Sequence, residues 1–403
     1  MTRRQVLLLS MLASLLQASA AHAQKSYGPG ASDSSIKVGQ TMPYSGPASA
    51  YAVIGKLQAA YFRKINDEGG IHGRKIELIS LDDGYAPPKT FEVTRRLVEQ
   101  EKVLLLFQSV GTPTNSAVHD YLNTKKVPQL FVGSGAAKWN DPRQHPWTTG
   151  WQPNYQTEAK VYARHILKER PGAKIAVLYQ NDDYGKDGLK GLKAGLGGKA
   201  AEMIVAEASY EVTDPTVDSQ IVQLKASGAD VFVDFSTPKF SAQAIRKAYD
   251  TGWKPRHYLN NISQSVGAVL TPAGLEKSVG LITSLYNKDP TDPKWARDAA
   301  MNEWRAFMRK YLPEANVQDG LNVYAYGAAR ALVQVLRQCG DDLSRENVLR
   351  QALSLKNFES GVELPGIRIN TSPGSHAPMQ AMQLARFDGK SWVEMGEVIS
   401  VAE

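Results

Sequence analysis

Six short stretches of this chain concentrate hydroxyls, glycines and side-chain amides, groups suited to holding a polar molecule rather than transforming it. They are Pro43-Tyr44-Ser45-Gly46-Pro47, Ser109-Val110-Gly111-Thr112-Pro113-Thr114-Asn115, Gly133-Ser134-Gly135-Ala136-Ala137, Asn181-Asp182-Asp183-Tyr184-Gly185, Ser236-Thr237-Pro238 and Asn260-Asn261-Ile262-Ser263. Each has the composition of a helix cap, which is the plain use of any one of them. Together they would expose backbone N–H groups at several helix starts, an arrangement that suits a carboxylate or other anion. Hydroxyls complete such a shell, and nearby tyrosines and tryptophans supply apolar walls.

Patterns for covalent chemistry are missing. Gly133-Ser134-Gly135 lacks the third glycine of a dinucleotide fingerprint, and there is no G-x-x-x-x-G-K-[ST] phosphate loop. No G-x-S-x-G elbow marks a hydrolase. The histidines lack H-x-x-x-H spacing or a neighbouring Cys, so no zinc site is indicated. Asp182-Asp183-Tyr184-Gly185-Lys186-Asp187 faintly resembles a calcium loop, but no Glu closes it. Asp82-Asp83 has no visible partner for acid–base work. The expectation is a protein that is not an enzyme and needs no metal or cofactor.

Positioning those loops requires a particular alternation of elements. Strands are expected at 36–42, 75–81, 103–107 and 127–132, with helices at 48–66, 88–100 and 115–124. After a stretch rich in Trp and Pro the alternation restarts. Helices then fall at 155–168, 185–196, 217–227 and 239–251, and strands at 174–179, 202–208, 231–235 and 256–260. Short strands separated by such helices build parallel sheets from βαβ units. Two series, interrupted near 133–153, imply two doubly wound Rossmann-like α/β lobes, and open sheets of this kind bind ligands beyond the carboxyl ends of their strands. Helical patterns at 293–311, 320–337 and 345–355 follow. A ribbon of 380–387 and 392–399, joined at Asp388-Gly389, ends the chain and suggests a crossing back between lobes.

The N-terminus carries an export signal. Arg3 and Arg4 precede an apolar run over 6–16 broken only by Ser10 and Ser14, and Ala21-His22-Ala23 supplies small residues for a peptidase. A secretory leader over 1–23, cleaved before Gln24, is expected. The run is too short to span a membrane, and Thr2-Arg3-Arg4-Gln5-Val6-Leu7 leaves twin-arginine export open. No Cys near the cleavage site offers a lipid anchor. Roughly 380 mature residues exceed one small core. The single Cys, Cys339, would pack as a small hydrophobe. The net charge of +7 falls by the two leader arginines and is spread along the chain without a basic tract. Nucleic acid is therefore not indicated, and a slight preference for anions remains.

One run of residues is more specific than composition. Ile36-Lys37-Val38-Gly39 leads into Ser45-Gly46-Pro47, and Asn66-Asp67-Glu68-Gly69-Gly70-Ile71-His72-Gly73-Arg74-Lys75-Ile76-Glu77-Leu78 continues into Leu81-Asp82-Asp83 and later Tyr184-Gly185. In these residues, and from about Ile36 to the C-terminus, the chain resembles the type I periplasmic solute-binding proteins of ABC transporters, in the Leu/Ile/Val-binding branch. Physically, the double glycine ends the first helix in a left-handed turn, and Gly73 reverses the chain into the next strand.

The resemblance implies two lobes joined by a three-strand hinge that closes over a ligand. The lobes would be 24–150 with about 286–360, and 151–285 with about 361–403. It implies a periplasmic location, a membrane permease as partner, a small-molecule ligand and a monomer. Tyr51 matches a cleft tyrosine. Gly111 and Thr112, beside Ser109, match a loop that binds the ligand carboxylate, as do Ser134, Gly135 and Ala136; Tyr184 matches the tyrosine of the opposing lobe. Ser236 stands about where the family has another aromatic. Ser263, beside Asn260 and Asn261, stands about where amino-acid binders carry an acid. A buried α-ammonium needs a charged or strongly accepting partner, so a site without that acid is more neutral unless Asp83, Asp182 or Asp183 substitutes. A branched-chain or related amino acid is the family default, and an aromatic or short-chain carboxylate without an amino group is its rival. Trp139, Trp147 and Trp151 offer an aromatic wall or interlobe packing. A ligand sensor for a membrane receptor uses the same fold and is the second class of function.

Overall fold

The computed structural model describes residues 25–400, so the expected leader over 1–23 lies outside the described residues. A two-residue strand, β1 (Ser26–Tyr27), precedes the first sheet. That sheet contains β2 (Ser35–Met42), β3 (Lys75–Asp82), β4 (Leu105–Phe107) and β5 (Gln129–Leu130), in the spatial order β3-β2-β4-β5 with every pair parallel. The second contains β6 (Ile175–Gln180), β7 (Ile204–Tyr210), β8 (Val231–Phe235), β9 (Arg256–Leu259) and β10 (Ile282–Leu285), parallel in the order β7-β6-β8-β9-β10. A further short strand, β11 (Asp342–Leu343), pairs with β1. The expected C-terminal ribbon forms β12 (Ala381–Phe387) and β13 (Trp392–Ser400), antiparallel, and adds to the second sheet beside β10. In each sheet the winding direction reverses once, at β2/β4 and at β6/β8. The loops after those strands diverge and leave a crevice at the carboxyl edge.

Helices cover both sheets because their apolar residues recur every three or four positions. The helix Ala52–Asp67 buries Ile54, Leu57, Tyr61, Phe62 and Ile65. It packs against Gly320–Cys339, a helix buried on nearly every side. Cys339 is buried in that helix as the sequence suggests, and burial pushes its thiol up to about 12, leaving it unreactive. No helix among the described residues is long and apolar enough to cross a membrane.

The run following the first helix is a structural joint. Gly69 and Gly70 take positive φ, at 101° and 76°, and Ile71 N–H donates to Arg74 O at 2.7 Å. Asn66 locks the helix end to β3 through both amide atoms, at 2.9 and 2.8 Å from Ile76 O and N. Buried Arg74 donates to Tyr27 Oη, Ser32 O and Asp341 Oδ1 at 2.8, 3.1 and 2.6 Å, pinning β1 to the C-terminal helices.

The chain passes between the two sheets three times, and the passages lie side by side. Gly150 N–H donates to His376 O at 3.1 Å, Lys288 N–H to Val362 O at 2.8 Å and Leu364 N–H to Tyr286 O at 2.9 Å.

Some boundaries differ from expectation for local reasons. The strand expected at 127–132 shrinks to Gln129–Leu130 because Phe131 turns to φ 55°. The helix expected over 293–311 divides at Asp298, whose carboxylate accepts Met301 N–H and caps Ala299–Tyr311. Strand β10 escaped the sequence pattern, being only four residues long.

Gly70→Ala and Gly73→Ala test the joint. Both sites have positive φ, at 76° and 82°, but an added Cβ would lie 2.2 Å from Arg74 O only at Gly70. Gly73→Ala should cost about 1 kcal/mol from backbone conformation alone, and Gly70→Ala distinctly more, about 3 kcal/mol. Urea denaturation giving equal losses would remove the steric account of Gly70.

Candidate functional site

The two crevices face one another and enclose a cavity of about 40 Å³. Most of its surrounding residues are buried, with Gly133, Ile262, Gln264, Asn287 and Gly320 partly exposed. The first sheet contributes Tyr51, Tyr85 and the Val110-Gly111-Thr112 loop; the second contributes Tyr184 and the Asn261–Ser265 loop. Gln152 and Tyr155 come from the first passage, Tyr286 and Asn287 from the second, and Leu321 and Tyr324 from the long C-terminal helix. Six tyrosines and no Asp, Glu, Lys, Arg or His line it. Burial pushes the Tyr51, Tyr85, Tyr184, Tyr286 and Tyr324 hydroxyls well above the usual phenol range, which keeps them neutral.

Charge is nevertheless present as a dipole. The helix Thr112–Thr124 starts at the cavity with Gly111 as N-cap and no side chain capping it. The hydroxyl of Thr112 lies 2.7 Å from Ser134 Oγ. Ser134 Oγ also accepts Trp139 Nε1–H at 2.8 Å and Ala136 N–H at 3.3 Å. Ser134 thereby ties the helix start to the Trp139 loop, and Thr112 Oγ1 and Ser134 Oγ can each donate to the other. Gly111 has φ 108°, and a Cβ there would come within 2.5 Å of both Thr114 Oγ1 and the Tyr85 ring. Glycine is thus required for the tyrosine and the helix start to meet.

The loops are held in unusual conformations. Tyr85, Gln108 and Phe131, just beyond β3, β4 and β5, all take positive φ, at 60°, 51° and 55°. Such strain clusters where surroundings over-determine a loop. Here Gln108 Nε2 donates to Phe131 O, clamping two of the three.

The eleven residues singled out in the sequence divide into two layers. Tyr51, Gly111, Thr112, Tyr184 and Asn261 line the cavity. The Tyr51 hydroxyl and both side-chain amide atoms of Asn261 are buried without a protein partner. Ser109, Ser134, Gly135, Ala136, Ser236 and Ser263 stand behind this lining. Ser109 Oγ accepts Thr41 N–H at 3.1 Å, and Gly135 O accepts Tyr155 N–H at 2.8 Å. Ala136 is buried next to the Trp139 cluster. Ser236 Oγ bonds Asp234 Oδ1 at 2.5 Å, and Ser263 Oγ donates to Ser236 O at 2.7 Å. The candidate substitutes for the missing acid are also occupied. Asp83 accepts Tyr85 N–H and Thr90 Oγ1–H, Asp182 caps its helix, and Asp183 pairs with Lys138 at 2.6 Å from the other lobe. None of Trp139, Trp147 and Trp151 lines the cavity, whose wall is tyrosine instead. Tyr155 and Tyr184 meet edge-to-face, centroids 4.9 Å apart.

The family model described as periplasmic binding protein matches residues 35–391. The chain belongs to that family. Leu/Ile/Val-binding protein homolog 7 of Brucella abortus (strain 2308) is 25% identical over 407 residues, covering 96% of this chain and 98% of its own. A branched-chain amino acid ABC transporter structure from Thermus thermophilus with bound valine has a TM-score of 0.82 at 16% identity, over 92% of this chain and 98% of its own. A solute binding protein of R. palustris in complex with 4-hydroxybenzoate has a TM-score of 0.76 at 16% identity, over 91% and 97%. The protein is thus a type I periplasmic solute-binding protein of the ABC-transporter kind, with the two-lobed fold expected from its sequence.

Behind Asn261 this binding protein keeps a buried carboxyl that sequence reasoning missed. Glu158 Oε1 accepts Tyr162 O–H at 2.5 Å, Asn261 N–H at 2.7 Å and Ser284 O–H at 2.8 Å, whereas Oε2 has no partner. It joins the helix after the first passage, the strand before the second, and a cavity loop. Burial pushes this carboxyl up from 4.5 to about 7. Between those values the folded chain keeps a proton that the unfolded chain has lost. Its stabilising effect is therefore complete below about pH 4.5 and is lost as pH rises to about 7, a change on the order of 3 kcal/mol. Glu158→Gln should flatten that slope in urea titrations at pH 5 and pH 8. Identical pH dependence in variant and parent would exclude this carboxyl as its source.

Proposed function

We propose that this protein captures a small carboxylate lacking an amino group, of an aromatic or short-chain kind, and delivers it to the membrane permease of an ABC importer. The observation that carries the reading is a tyrosine-walled cavity with an open helix N-terminus and no charged side chain. A carboxylate set against the Thr112 N-terminus gains the helix dipole and the backbone N–H groups of an uncapped first turn. An ammonium group in the same cavity would lose water without gaining an anion. The amino-acid reading has its own support in the valine-bound neighbour from Thermus thermophilus, and the aromatic reading in the 4-hydroxybenzoate complex.

In this proposal the leader over 1–23 exports the chain, and the mature monomer divides into lobes at 24–150 with about 286–360 and 151–285 with about 361–403. The protein performs no catalysis and carries no cofactor; ATP is hydrolysed by another subunit. Tyr51, Gly111, Thr112, Tyr184 and Asn261 touch the solute, with Ser109, Ser134, Gly135, Ala136, Ser236 and Ser263 positioning them. Closure joins Gly46 to Ala50 of one lobe with Pro238 to Arg246 of the other around a groove of about 520 Å³ at the surface, a face for the permease.

A thermal-shift screen of benzoate, 4-hydroxybenzoate, short fatty acids, leucine and valine tests the reading. A carboxylate without an amino group should stabilise the protein by about 3 kcal/mol at a hundredfold excess over its Kd. Stabilisation by leucine or valine alone would overturn it in favour of the family default. For whichever solute binds, Thr112→Val and Asn261→Ala should each weaken affinity roughly tenfold by calorimetry. Unchanged affinity in both would move the solute away from this helix start.

A further inference from the structure

We propose that the second lobe carries a separate oxyanion site at the amino ends of β9 and β10, which takes a phosphate group, either free or as the headgroup of an anionic lipid. A cavity of about 420 Å³ opens there. Arg170, Lys254, Arg256, Lys277 and Arg386 line it, against the single carboxylate of Glu276. Arg256 begins β9, whereas Asn261 follows its end, so about 13 Å of strand separates this cavity from the solute cleft.

Ordinary ion pairs among the described residues account for two of these five cations and leave three without a partner. Arg170 pairs with Asp230 at 3.0 Å and Lys277 with Asp250 at 2.7 Å. Among the described residues, Lys254, Arg256 and Arg386 have no carboxylate at ion-pair distance and donate no side-chain hydrogen bond to the protein. A helix C-terminus attracts cations, but the end of Pro238–Asp250 is served from outside this group, by Lys225 Nζ on Thr251 O at 2.5 Å. Arg256 is half-buried, and no carboxylate of the described residues pairs with its guanidinium.

The remaining wall suits a phosphate ester as well as the bare ion. His257 lines the same cavity and is 7% exposed, with its Nε2 set 3.5 Å from the buried Asp234 Oδ2. Trp253 and half-exposed Tyr249 add aromatic surface, with Lys277 5.5 Å from the Tyr249 ring centroid. Two arginines with all their donors free match a tetrahedral oxyanion better than a single carboxylate, because each can bind it through two parallel N–H groups.

Calorimetry of the intact protein with inorganic phosphate at low salt, with acetate as control, tests one source of the group. Co-sedimentation with phosphatidylglycerol vesicles, against phosphatidylcholine vesicles, tests the other. Phosphate binding that exceeds acetate binding identifies the free ion; sedimentation with phosphatidylglycerol alone identifies the headgroup. In either arm Arg256→Ala/Arg386→Ala should lose at least roughly tenfold in affinity, while the solute response of the cleft is unchanged. The exposed Arg386→Gln alone should give a smaller loss in the same direction and serves where the double variant does not fold. Absence of binding in both arms, or binding undiminished in the folded variants, would overturn the site.

Discussion

Closure of two crevices onto a cavity of about 40 Å³ removes water from every group facing it, and this desolvation governs the rest of the structure. A polar atom inside must find a partner in the protein or in the solute. The lobes meet this condition on most of the wall internally, as where Tyr324 O–H donates to Gln152 Oε1 at 2.7 Å and Tyr184 O–H to Ser236 O at 3.2 Å. They leave the Tyr51 hydroxyl and the Asn261 amide unpaired. Those atoms stay without an internal partner, and the helix start at Thr112 stays without a side-chain cap.

The same constraint explains the layer behind the lining. Ser134 Oγ takes Trp139 Nε1–H and Ala136 N–H and lies 2.7 Å from Thr112 Oγ1, so it holds the helix start against the Trp139 loop. Ser236 O plays a comparable role in the second lobe. Tyr184, Ser241, Asn260 and Ser263 all reach it with a donor, so side chains from three segments converge on one backbone oxygen. Glu158 extends the network to the passages between lobes. Its one fully used oxygen couples Asn261 to Ser284, so the cavity loop and the hinge are held by the same carboxyl.

Sequence patterns reached the two sheets because βαβ alternation is local, and they reached the loops because cap residues are local too. The stretch from Asn66 to Leu78 pointed to the family, yet it works at a distance from the cavity. Asn66, Gly70 and Arg74 build the joint between first helix, β3 and C-terminal helices, which every closed form needs whatever it binds. Tyr286, Tyr324 and Gln152 were not legible, since they enter the cavity from passages and a distant helix. Only the three-dimensional crossing of the chain brings them there. Ser236 and Ser263 were legible as loop residues, but their place behind the lining depends on which way each hydroxyl turns.

The serine at 263 then acquires a definite consequence. Its proton is spent on Ser236 O, the oxygen that Tyr184 also reaches, so it offers neither charge nor a donor to the cavity. An acid at this position would have to displace that bond or bring an unpaired charge into a wall of neutral phenols, which is costly without a cation. The second lobe contributes Tyr184 and the Asn261 amide, and the first contributes Tyr51, Tyr85 and the Thr112 helix start. The aromatic wall is therefore shared by both lobes, whereas the uncapped helix start belongs to the first.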